Sequence, residues 1–453
     1  MGELKAYPEY KNSGFEWVGD VPTDWQYTKL KRIASVELSN IDKKSRENEI
    51  DVLLCNYVDV YYNDIITSEL SFMQATAKQT QINKFKLKRE DVLITKDSET
   101  ADDIGVPAWV EQDMENVICG YHLAQIRSSR YLIGKFLFYM LASTTLNSQL
   151  HSLANGVTRF GISKGDIENS IYLIPDVKTQ KAIINFLDSR TSQIDALISD
   201  KERLIKLLEE KRQAIITETV TKGLDPNVKM KDSGNGWIGE VPEHWGVGKI
   251  KYFSEMKTGA TPSRNNLDYW EGGTINWMSS GEINQEYIYH VNNKITELGF
   301  KSSSTSLLPI NTVMIALNGQ GKTKGKAAIL KVKSTCNQSL VGFICDGKNL
   351  HYLYLYYFLK SKYRDIRGLV GDGLRDGISL GLLKTLYISL PSYDEQVKIV
   401  KEIVSQEQDI LKTIEIIKEQ ISKLKEYRES LIYEAVTGKI DVRDYATERQ
   451  ETY

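Results

Sequence analysis

One segment of the sequence ends like a phosphate-binding loop. Residues 316–323 read Ala-Leu-Asn-Gly-Gln-Gly-Lys-Thr, which matches the Gly-Lys-Thr end of that motif. The first glycine that the motif needs is Ala316 here, and the segment after Thr323 reads as a strand and not as a helix. Because the anion site requires a tight turn that leads into a helix N-terminus, both departures argue against nucleotide binding.

The same segment has a second interpretation, as a basic loop that contacts nucleic acid. Amide side chains suit adenine edges and lysines suit phosphate oxygens. The candidate contacts here are Asn318, Gln320, Lys322 and Lys324. The corresponding loop earlier in the chain, Lys96–Thr100, is less basic and contributes Lys96. A solvated surface turn is the open alternative for either loop.

Two glycine-flanked arginines are further candidates for the same chemistry. Arg159 lies in the segment Asn155–Gly161, directly after Thr158, and Arg375 lies 216 residues later in Gly371–Gly377. A planar guanidinium can donate two parallel hydrogen bonds to guanine or to a phosphate. We therefore predict that Arg159, Thr158 and Arg375 contact nucleic acid, and the alternative is a structural arginine that closes the loop on the following helix.

Signatures of catalysis are missing from the sequence. It has no HExxH, GxSxG or GxGxxG motif and no Asn-Pro-Pro or Asp-Pro-Pro segment of an amino-methyltransferase. The four cysteines, at positions 55, 119, 336 and 345, form no CxxC pair and read as buried thiols. We therefore expect a recognition protein with no catalytic, cofactor or metal site of its own.

The composition is that of a folded protein with more than one domain. The chain has 453 residues, 41% of them hydrophobic and 26% charged, and exceeds the length at which one core usually keeps growing. It has no apolar run long enough to cross a bilayer, so we expect a cytoplasmic protein. The net charge of −2 is not that of a typical nucleic-acid binder. Binding needs positive charge only on the face that meets phosphates.

The sequence contains a long internal duplication, so that one unit occurs twice. The segment Lys11–Trp25 returns as Lys231–Trp245, 220 residues later, with tryptophans at matching places. Further on, the offset is 216: Gly161-Ile162-Ser163 matches Gly377-Ile378-Ser379, and Pro175 and Gln180 match Pro391 and Gln396. We expect the repeated tryptophans to pack inside each unit rather than to stack on bases.

Each unit ends in a long charged segment with the 3.5-residue period of a coiled-coil seam. The predicted apolar seam consists of Ile194, Ile198, Ile205, Leu208 and Ile215 in the first segment, and of Ile410, Ile414, Ile417, Ile421, Leu424 and Leu431 in the second. Lys201, Arg212 and Arg428 fall on the same period. Since one helix cannot bury its apolar stripe on itself, we predict that the two helices pair with each other. We expect the pair to be antiparallel.

The middles of the two units, roughly 30–160 and 250–375, share only scattered residues. They read as mixed α/β, with strand-like runs such as Asp91–Thr95 and Thr312–Ala316. Either the two middle segments diverged after an old duplication because nothing constrained them, or they perform the same function on different targets. We predict an α/β protein of two mixed domains in tandem, each followed by a long helix, with the helices paired about a pseudo-two-fold axis.

This arrangement resembles the specificity subunit of type I restriction-modification systems. The resemblance covers almost the whole chain and depends on the repeated openings, Ser13–Trp25 and Ser233–Trp245, and on the Ile-Ser…Pro…Gln segments before the helices. It implies target recognition domains over 1–177 and 223–393, spacer helices over 178–222 and 394–438, and a C-terminal tail over 439–453.

The resemblance also implies a function and partners. In that family each recognition domain reads one half of a bipartite site in double-stranded DNA, and the helices fix the spacing between the halves. Two methyltransferase subunits and two restriction subunits complete the enzyme. S-adenosylmethionine, ATP and Mg are then expected on those subunits and not on this chain. The rival hypothesis is a duplicated coiled-coil scaffold that never touches DNA.

Overall fold

The computed structural model describes residues 5–319, 323–369 and 377–445, which form two compact units. Unit 1 comprises the described residues up to Lys201 together with those from Glu419 onward, and unit 2 comprises those from Glu202 to Lys418. Each unit therefore contains one recognition-type domain and about half of each long helix.

The first half of the chain alternates short strands and helices before one helix of 46 residues. Its elements are β1 (Tyr10–Asn12), β2 (Asp20–Pro22), β3 (Gln26–Lys29), β4 (Ala34–Leu38), β5 (Ile50–Cys55), α1 (Tyr57–Tyr61), β6 (Ile65–Ile66), β7 (Met73–Ala77), α2 (Gln79–Phe85), β8 (Asp91–Thr95), β9 (Asp97–Ser98), β10 (Pro107–Val110), β11 (Val117–Cys119), β12 (Leu123–Ser128), α3 (Gly134–Ala142), α4 (Thr144–His151), β13 (Phe160–Gly161), α5 (Lys164–Asn169), β14 (Ile171–Ile174) and α6 (Val177–Lys222).

The second half repeats most of this order in its described residues and ends in a helix of 44 residues. Its elements are β15 (Met230–Asp232), β16 (Glu240–Pro242), β17 (Gly246–Lys249), β18 (Ser254–Thr258), β19 (Ile275–Met278), β20 (Tyr287–Ile288), β21 (Asn293–Ile295), α7 (Glu297–Lys301), β22 (Val313–Ala316), β23 (Ala327–Leu330), β24 (Thr335–Cys336), β25 (Leu340–Cys345), α8 (Tyr352–Ser361), α9 (Tyr363–Gly368), α10 (Leu380–Thr385), β26 (Tyr387–Leu390) and α11 (Tyr393–Val436).

Both units are built on the same pair of sheets. Unit 1 has a five-stranded sheet in the order β4-β12-β8-β10-β6 and a three-stranded sheet in the order β11-β5-β7. Unit 2 repeats them as β18-β25-β22-β23-β20 and β21-β19-β24. In each larger sheet only the outermost strand, β6 or β20, is parallel to its neighbour. The mixed α/β architecture predicted from the sequence is confirmed.

The cores follow from the strands at the centre of the larger sheets. All residues of β8 and β22 are buried, which is why Val92–Ile94 and Val313–Ala316 read as continuous apolar runs and not as alternating ones. Helices α3 and α8 cover these sheets, and Tyr354, Tyr357 and Phe358 of α8 are fully buried. The predicted strand-like runs were therefore correct.

The repeated Pro…Gln segments fix the start of each long helix. Gln180 is fully buried, and its amide nitrogen donates to the carbonyl of Pro175 at 3.0 Å while its oxygen accepts from the backbone N–H of Ile133 at 2.9 Å. Gln396 makes the same pair of bonds to Pro391 and His351, at 3.1 and 2.8 Å. One buried amide thus ties the helix to the end of the preceding strand and to the start of α3 or α8.

The long helices α6 and α11 pack together antiparallel within each unit. In unit 1, Lys201 Nζ donates to Gln420 Oε1 at 2.7 Å, and in unit 2 Arg212 Nε donates to Glu407 Oε1 at 2.6 Å. As the number rises along α6, the number of its partner on α11 falls. Every predicted seam residue is buried or half-buried. The helices begin and end within two residues of the predicted ranges.

The repeated tryptophans hold the start of each unit to its core. Trp25 and Trp245 are at most 1% exposed, whereas Trp17 and Trp237 are half-buried. Trp237 Nε1 donates to the carbonyl of Tyr387 at 3.0 Å. These contacts agree with the predicted packing role.

All four cysteines carry free thiols, three of them buried and Cys345 half-buried, and burial raises the pKa of Cys336 and Cys345 to about 12.

Candidate nucleic-acid interface

In unit 1, three loops meet where β8 ends, β12 begins and β13 begins. They bring together a group of side chains that we call the Asp97 cluster, consisting of Lys96, Asp97, Tyr121, His122 and Arg159. The register of β8 against β12 places Thr95 opposite Leu123, so the residues that follow and precede them lie side by side. The backbone N–H of Lys96 donates to the carbonyl of His122 at 3.0 Å.

Asp97 lies at the centre of the cluster. Its Oδ1 lies 2.8 Å from Arg159 Nη2 and 2.5 Å from His122 Nδ1, and its Oδ2 lies 3.4 Å from Lys96 Nζ. Arg159 Nη2 also lies 2.9 Å from His122 Nδ1. Lys96 Nζ also lies 4.3 Å from the centroid of the Tyr121 ring. Two permanent cations and one histidine therefore share one carboxylate, which leaves the cluster with a net positive charge.

Exposure distinguishes the members of this cluster. The side chain of Arg159 is 53% exposed, whereas those of Lys96 and Asp97 are 12% and 17% exposed. Asp97 thus acts as a half-buried support for a guanidinium that is itself exposed. An ion pair between Asp97 and Arg159 restricts this long side chain before any ligand arrives.

A tight loop presents Arg159 to solvent. Asn155 and Gly161 exchange two backbone hydrogen bonds of 2.9 Å, which closes the loop between them. A Cβ at Gly156 would lie 1.9 Å from the carbonyl oxygen of Arg159, so only glycine fits there. Thr158 is exposed at the tip of the loop, beside Val157, which is 95% exposed. Arg159 contacts Asp97 and His122 and not the following helix. A structural role for Arg159 would therefore consist of holding its loop to these two residues, and not of closing the loop on the helix.

Tyrosines surround the rest of the loop after β8. Tyr57 hydroxyl lies 3.0 Å from Ser98 Oγ, and Tyr61 hydroxyl donates to Asp103 at 3.0 Å. The rings of Tyr57 and Tyr61 stack with centroids 5.3 Å apart. Tyr62, at the end of α1, is 76% exposed. Aromatic and hydroxyl groups beside a cationic cluster are typical of a surface that meets phosphates and base edges.

Unit 2 repeats the backbone of this corner. Leu317 takes the place of Lys96, because its N–H donates to the carbonyl of Ser339 at 2.8 Å and its carbonyl accepts from the N–H of Ile378 at 2.9 Å. In unit 1 the carbonyl of Lys96 accepts from Ile162 at the same distance. The loop that begins at Leu317 is therefore the counterpart of the loop that begins at Lys96.

The side chains that the structure describes at the unit 2 corner are neutral. Asn318 takes the place of Asp97, Ser339 that of His122 and Gln338 that of Tyr121. Asn318 is exposed, and its amide lies over Gly377, where a Cβ would be 1.9 Å from Asn318 Oδ1. We call Leu317, Asn318, Gln338 and Ser339 the Asn318 corner.

The other candidates of unit 2 divide into two groups. Lys324 is 6% exposed, so its burial does not suit the phosphate contact expected of it, and we leave it out of the interface. Gln320, Lys322 and Arg375 lie outside the described residues. The segment after Thr323 leads into strand β23, as expected from the sequence, and not into the helix that a phosphate-binding loop requires.

Arg264 is an exposed cation of unit 2 that was not among the residues predicted from the sequence. Arg264 lies in the loop after β18, with its guanidinium carbon 4.9 Å from the Trp270 ring centroid and 5.4 Å from that of Trp277. The same loop contacts the Asn318 corner, because Thr261 Oγ1 donates to Gln338 Oε1 at 2.7 Å. Stacking on indole holds a guanidinium in place without neutralising its charge. The sequence signal was an arginine close to two tryptophans.

Within the described ranges, no helix is long and apolar enough to cross a membrane. In the same residues no group of three or more His, Cys, Asp or Glu side chains is placed to hold a metal ion.

Comparison with known proteins identifies the repeated unit. The sequence model of the type I restriction modification DNA specificity domain matches the chain twice, over residues 22–207 and 242–426. The chain belongs to this family. Each match contains one recognition-type domain and most of the helix that follows it, so the chain contains two DNA specificity domains in tandem.

Relatives of known sequence extend this result. A putative type I restriction enzyme MjaX specificity subunit from Methanocaldococcus jannaschii is 24% identical over 96% of this chain and 98% of its own length. The EcoR124I/EcoR124II specificity subunit from Escherichia coli is 24% identical over 80% of this chain and 84% of its own length. The rival hypothesis of a scaffold that never touches DNA is set aside by membership of a DNA specificity family.

Solved structures share the fold. A chain from a study of complex assembly and conformational transition of the type I R-M system aligns with a TM-score of 0.70 at 15% identity, over 93% of this chain and 99% of that one. The HsdS subunit from Thermoanaerobacter tengcongensis aligns with a TM-score of 0.54 at 15% identity, over 93% of this chain and 98% of its own.

Proposed function

We propose that this DNA specificity protein is the recognition subunit of a type I restriction-modification complex, in which unit 1 reads one half of a bipartite target and unit 2 reads the other. The observation that carries the proposal is the contrast between the Asp97 cluster and the Asn318 corner. The same backbone corner in each unit presents different hydrogen-bonding groups, as expected for two readers of two different half-sites.

The chemistry of the complex belongs to its partners in this proposal. The chain works in the cytoplasm with two methyltransferase subunits and two restriction subunits, which supply the S-adenosylmethionine, ATP and Mg sites. Its own contribution is to place those subunits on a chosen sequence. Arg159 and Thr158 of unit 1, and Asn318 with Arg264 of unit 2, are the side chains that we assign to DNA contact, with Lys96 as support.

Exchange of one recognition domain tests the proposal. The chain is expressed with its partner subunits, and modified adenines are mapped in the host DNA. We expect a split motif of two short specific parts around a fixed gap. Replacing residues 30–160 by the equivalent region of a relative should change one part only.

The control is the reciprocal exchange of residues 250–375, which should change the other part. If both parts change in either exchange, the units do not read independently. If the unmodified complex gives no split motif, the recognition function itself is wrong.

A further inference from the structure

Two arginines occupy seam positions of the paired helices, where apolar residues are normal. Arg212 of α6 and Arg428 of α11 are 216 residues apart and continue the heptad pattern of their helices. A charged side chain at such a position is costly unless its donors are satisfied, and a satisfied polar residue there specifies one arrangement over others. Each arginine is 25% exposed or less.

In unit 1, Arg428 connects three elements. Its Nη2 donates to Asp64 at 2.8 Å, and its Nε lies 3.0 Å from an oxygen of Asp195. Asp64 immediately precedes β6, the outermost strand of the five-stranded sheet, and Asp195 belongs to α6. We call Arg428, Asp64 and Asp195 the Arg428 anchor.

In unit 2, Arg212 makes the same connection with the same donor atoms. Its Nη2 donates to Glu286 at 2.9 Å and its Nε donates to Glu407 of α11 at 2.6 Å. Glu286 immediately precedes β20, the outermost strand of the unit 2 sheet. Lys360 Nζ donates to both carboxylates, at 2.8 and 3.1 Å. We call Arg212, Glu286, Glu407 and Lys360 the Arg212 anchor.

The two carboxylates next to the sheets are Asp64 in unit 1 and Glu286 in unit 2. Burial alone would raise the pKa of Glu286, but the charges and hydrogen bonds of Lys360 and Arg212 outweigh it and hold the pKa below its ordinary value. The two carboxylates also occupy equivalent places. The carbonyl of Asp64 accepts from Trp109 N–H, and that of Glu286 accepts from Ile329 N–H, each at 2.9 Å.

The helix carboxylates, in contrast, are not at matching positions. At the 216 offset, Glu407 corresponds to Thr191 and Asp195 corresponds to Leu411. Each unit therefore connects an arginine, an acid next to the sheet and an acid on the partner helix. When the two repeats are aligned, the helix acids Asp195 and Glu407 lie one helical turn apart. A passive remnant of the duplication would keep matching residues, so the connection itself is what both units require.

We propose that Arg212 and Arg428 are positioning residues that fix each recognition sheet to the helix pair and so set how strictly the gap between half-sites is read. This inference rests on the proposed function. DNA rotates with every base pair, so a recognition domain that pivots on its helices accepts gaps that a fixed one rejects. Helix length then sets the preferred gap, and the anchors set its tolerance.

The test uses the complete complex and a DNA library in which both half-sites are constant and only the gap length varies. Arg428→Gln is the main variant, since its two carboxylates are at least half exposed and remain solvated without it. We expect methylation at gaps one base pair longer or shorter to rise about tenfold relative to the preferred gap. The half-sites themselves should be unchanged, and Arg428→Lys should give a smaller rise.

Glu286→Gln tests the second anchor, because it keeps the shape of the side chain while removing its charge. The matched control is Lys423→Gln, which removes an exposed cation of α11 whose ion pair with Glu419 stays on the same helix. This control should keep the wild-type gap profile. Thermal unfolding of each complex shows whether the variants are folded at the assay temperature.

A second measurement does not depend on DNA. Spin labels at Glu69→Cys and Glu426→Cys, both exposed in unit 1, report the distance between the recognition domain and α11. Arg428→Gln should broaden that distance distribution, and the Lys423 control should not.

The inference is overturned if folded Arg428→Gln and Glu286→Gln complexes keep the wild-type gap profile and the distance distribution stays narrow. Failure of the proposed function looks different, because the unmodified complex would then show no split motif at any gap.

Discussion

The Asp97 cluster of unit 1 and the Asn318 corner of unit 2 share a backbone and differ in chemistry. In both, a residue after the central strand bonds to the same two neighbouring segments, through hydrogen bonds of 2.8 to 3.0 Å. Yet the position after it is a carboxylate bound to three basic side chains in one unit and an exposed amide in the other. Main-chain bonds therefore fix the position of this corner in both units, and the side chains give each corner a different chemistry.

The most direct test of this difference is to exchange the residue types of Asp97 and Asn318. Asp97→Asn removes the carboxylate that orients Arg159, so discrimination at the first half-site should fall about tenfold or more, within the range for one bidentate base contact. Non-specific affinity should rise, because the cluster gains positive charge. Asn318→Asp should weaken binding at the second half-site only. Binding of the complex to duplexes with single base changes in each half-site measures both effects.

Asp102→Asn is the matched control for Asp97→Asn. Asp102 is an exposed acid in the same loop, so its removal changes the net charge equally without releasing Arg159. It should raise non-specific affinity slightly and leave discrimination intact. Equal loss of discrimination in both variants would show that charge, and not the orientation of Arg159, is what matters.

Sequence periodicity predicted most of the fold, because local spacing determines which residues face a core. The long helices were found from their 3.5-residue period, and strands β8 and β22 were found from the short apolar run that each contains. The pairing of the two helices followed from the fact that neither helix can bury its apolar stripe alone. The strand order of the sheets had no comparable local signal.

The candidate site was predicted only in part. Arg159 was found because glycines and the repeat mark its loop. Asp97 and His122 were missed as its partners, since their contact depends on the register of two strands 25 residues apart. Lys324 is 6% exposed, and a lysine in a basic loop gives no sign of such burial in the sequence. Arg212 and Arg428 were seen as seam positions, but nothing local shows that each reaches a carboxylate of its recognition sheet.

The ends of the long helices offer a second comparison, with a moderate expected effect on stability. Gly438 follows α11 with φ of +71°, and Gly223 follows α6 with φ of +80°. A Cβ at Gly438 would lie 2.5 Å from the ring of Pro22, whereas at Gly223 the nearest atom is 3.2 Å away, on Trp245. Gly438→Ala should therefore destabilise unit 1 by about 2–3 kcal/mol, and Gly223→Ala should destabilise unit 2 by about 1–2 kcal/mol.

Hydrogen exchange of each unit measures the two losses separately. Gly236→Ala is the control, because a Cβ there meets nothing within 4 Å, and it should change little. Equal losses in the two cap variants would mean that the left-handed conformation alone sets the cost and that the Pro22 ring moves aside.

The smallest expected effect concerns pH. His351 precedes α8 and Ile133 precedes α3, and each donates its backbone N–H to the buried glutamine of its unit. Burial lowers the pKa of His351 below its ordinary value near 6.5. The unfolded chain therefore takes up a proton more readily than the folded one, so this residue costs unit 2 stability as the pH falls through about 6.5 and costs nothing well above it.

Replacing His351 by isoleucine copies unit 1 and removes the titrating group. Hydrogen exchange at pH 7.5 and 5.5 should show unit 2 losing less protection in His351→Ile than in the unmodified chain, with unit 1 unchanged between the two proteins. The difference should be small, because the ring is only half-buried and water still solvates much of its charge. An identical pH response in the two proteins would mean that the folded chain protonates His351 without penalty, and the contrast between the two helix starts would then be one of shape alone.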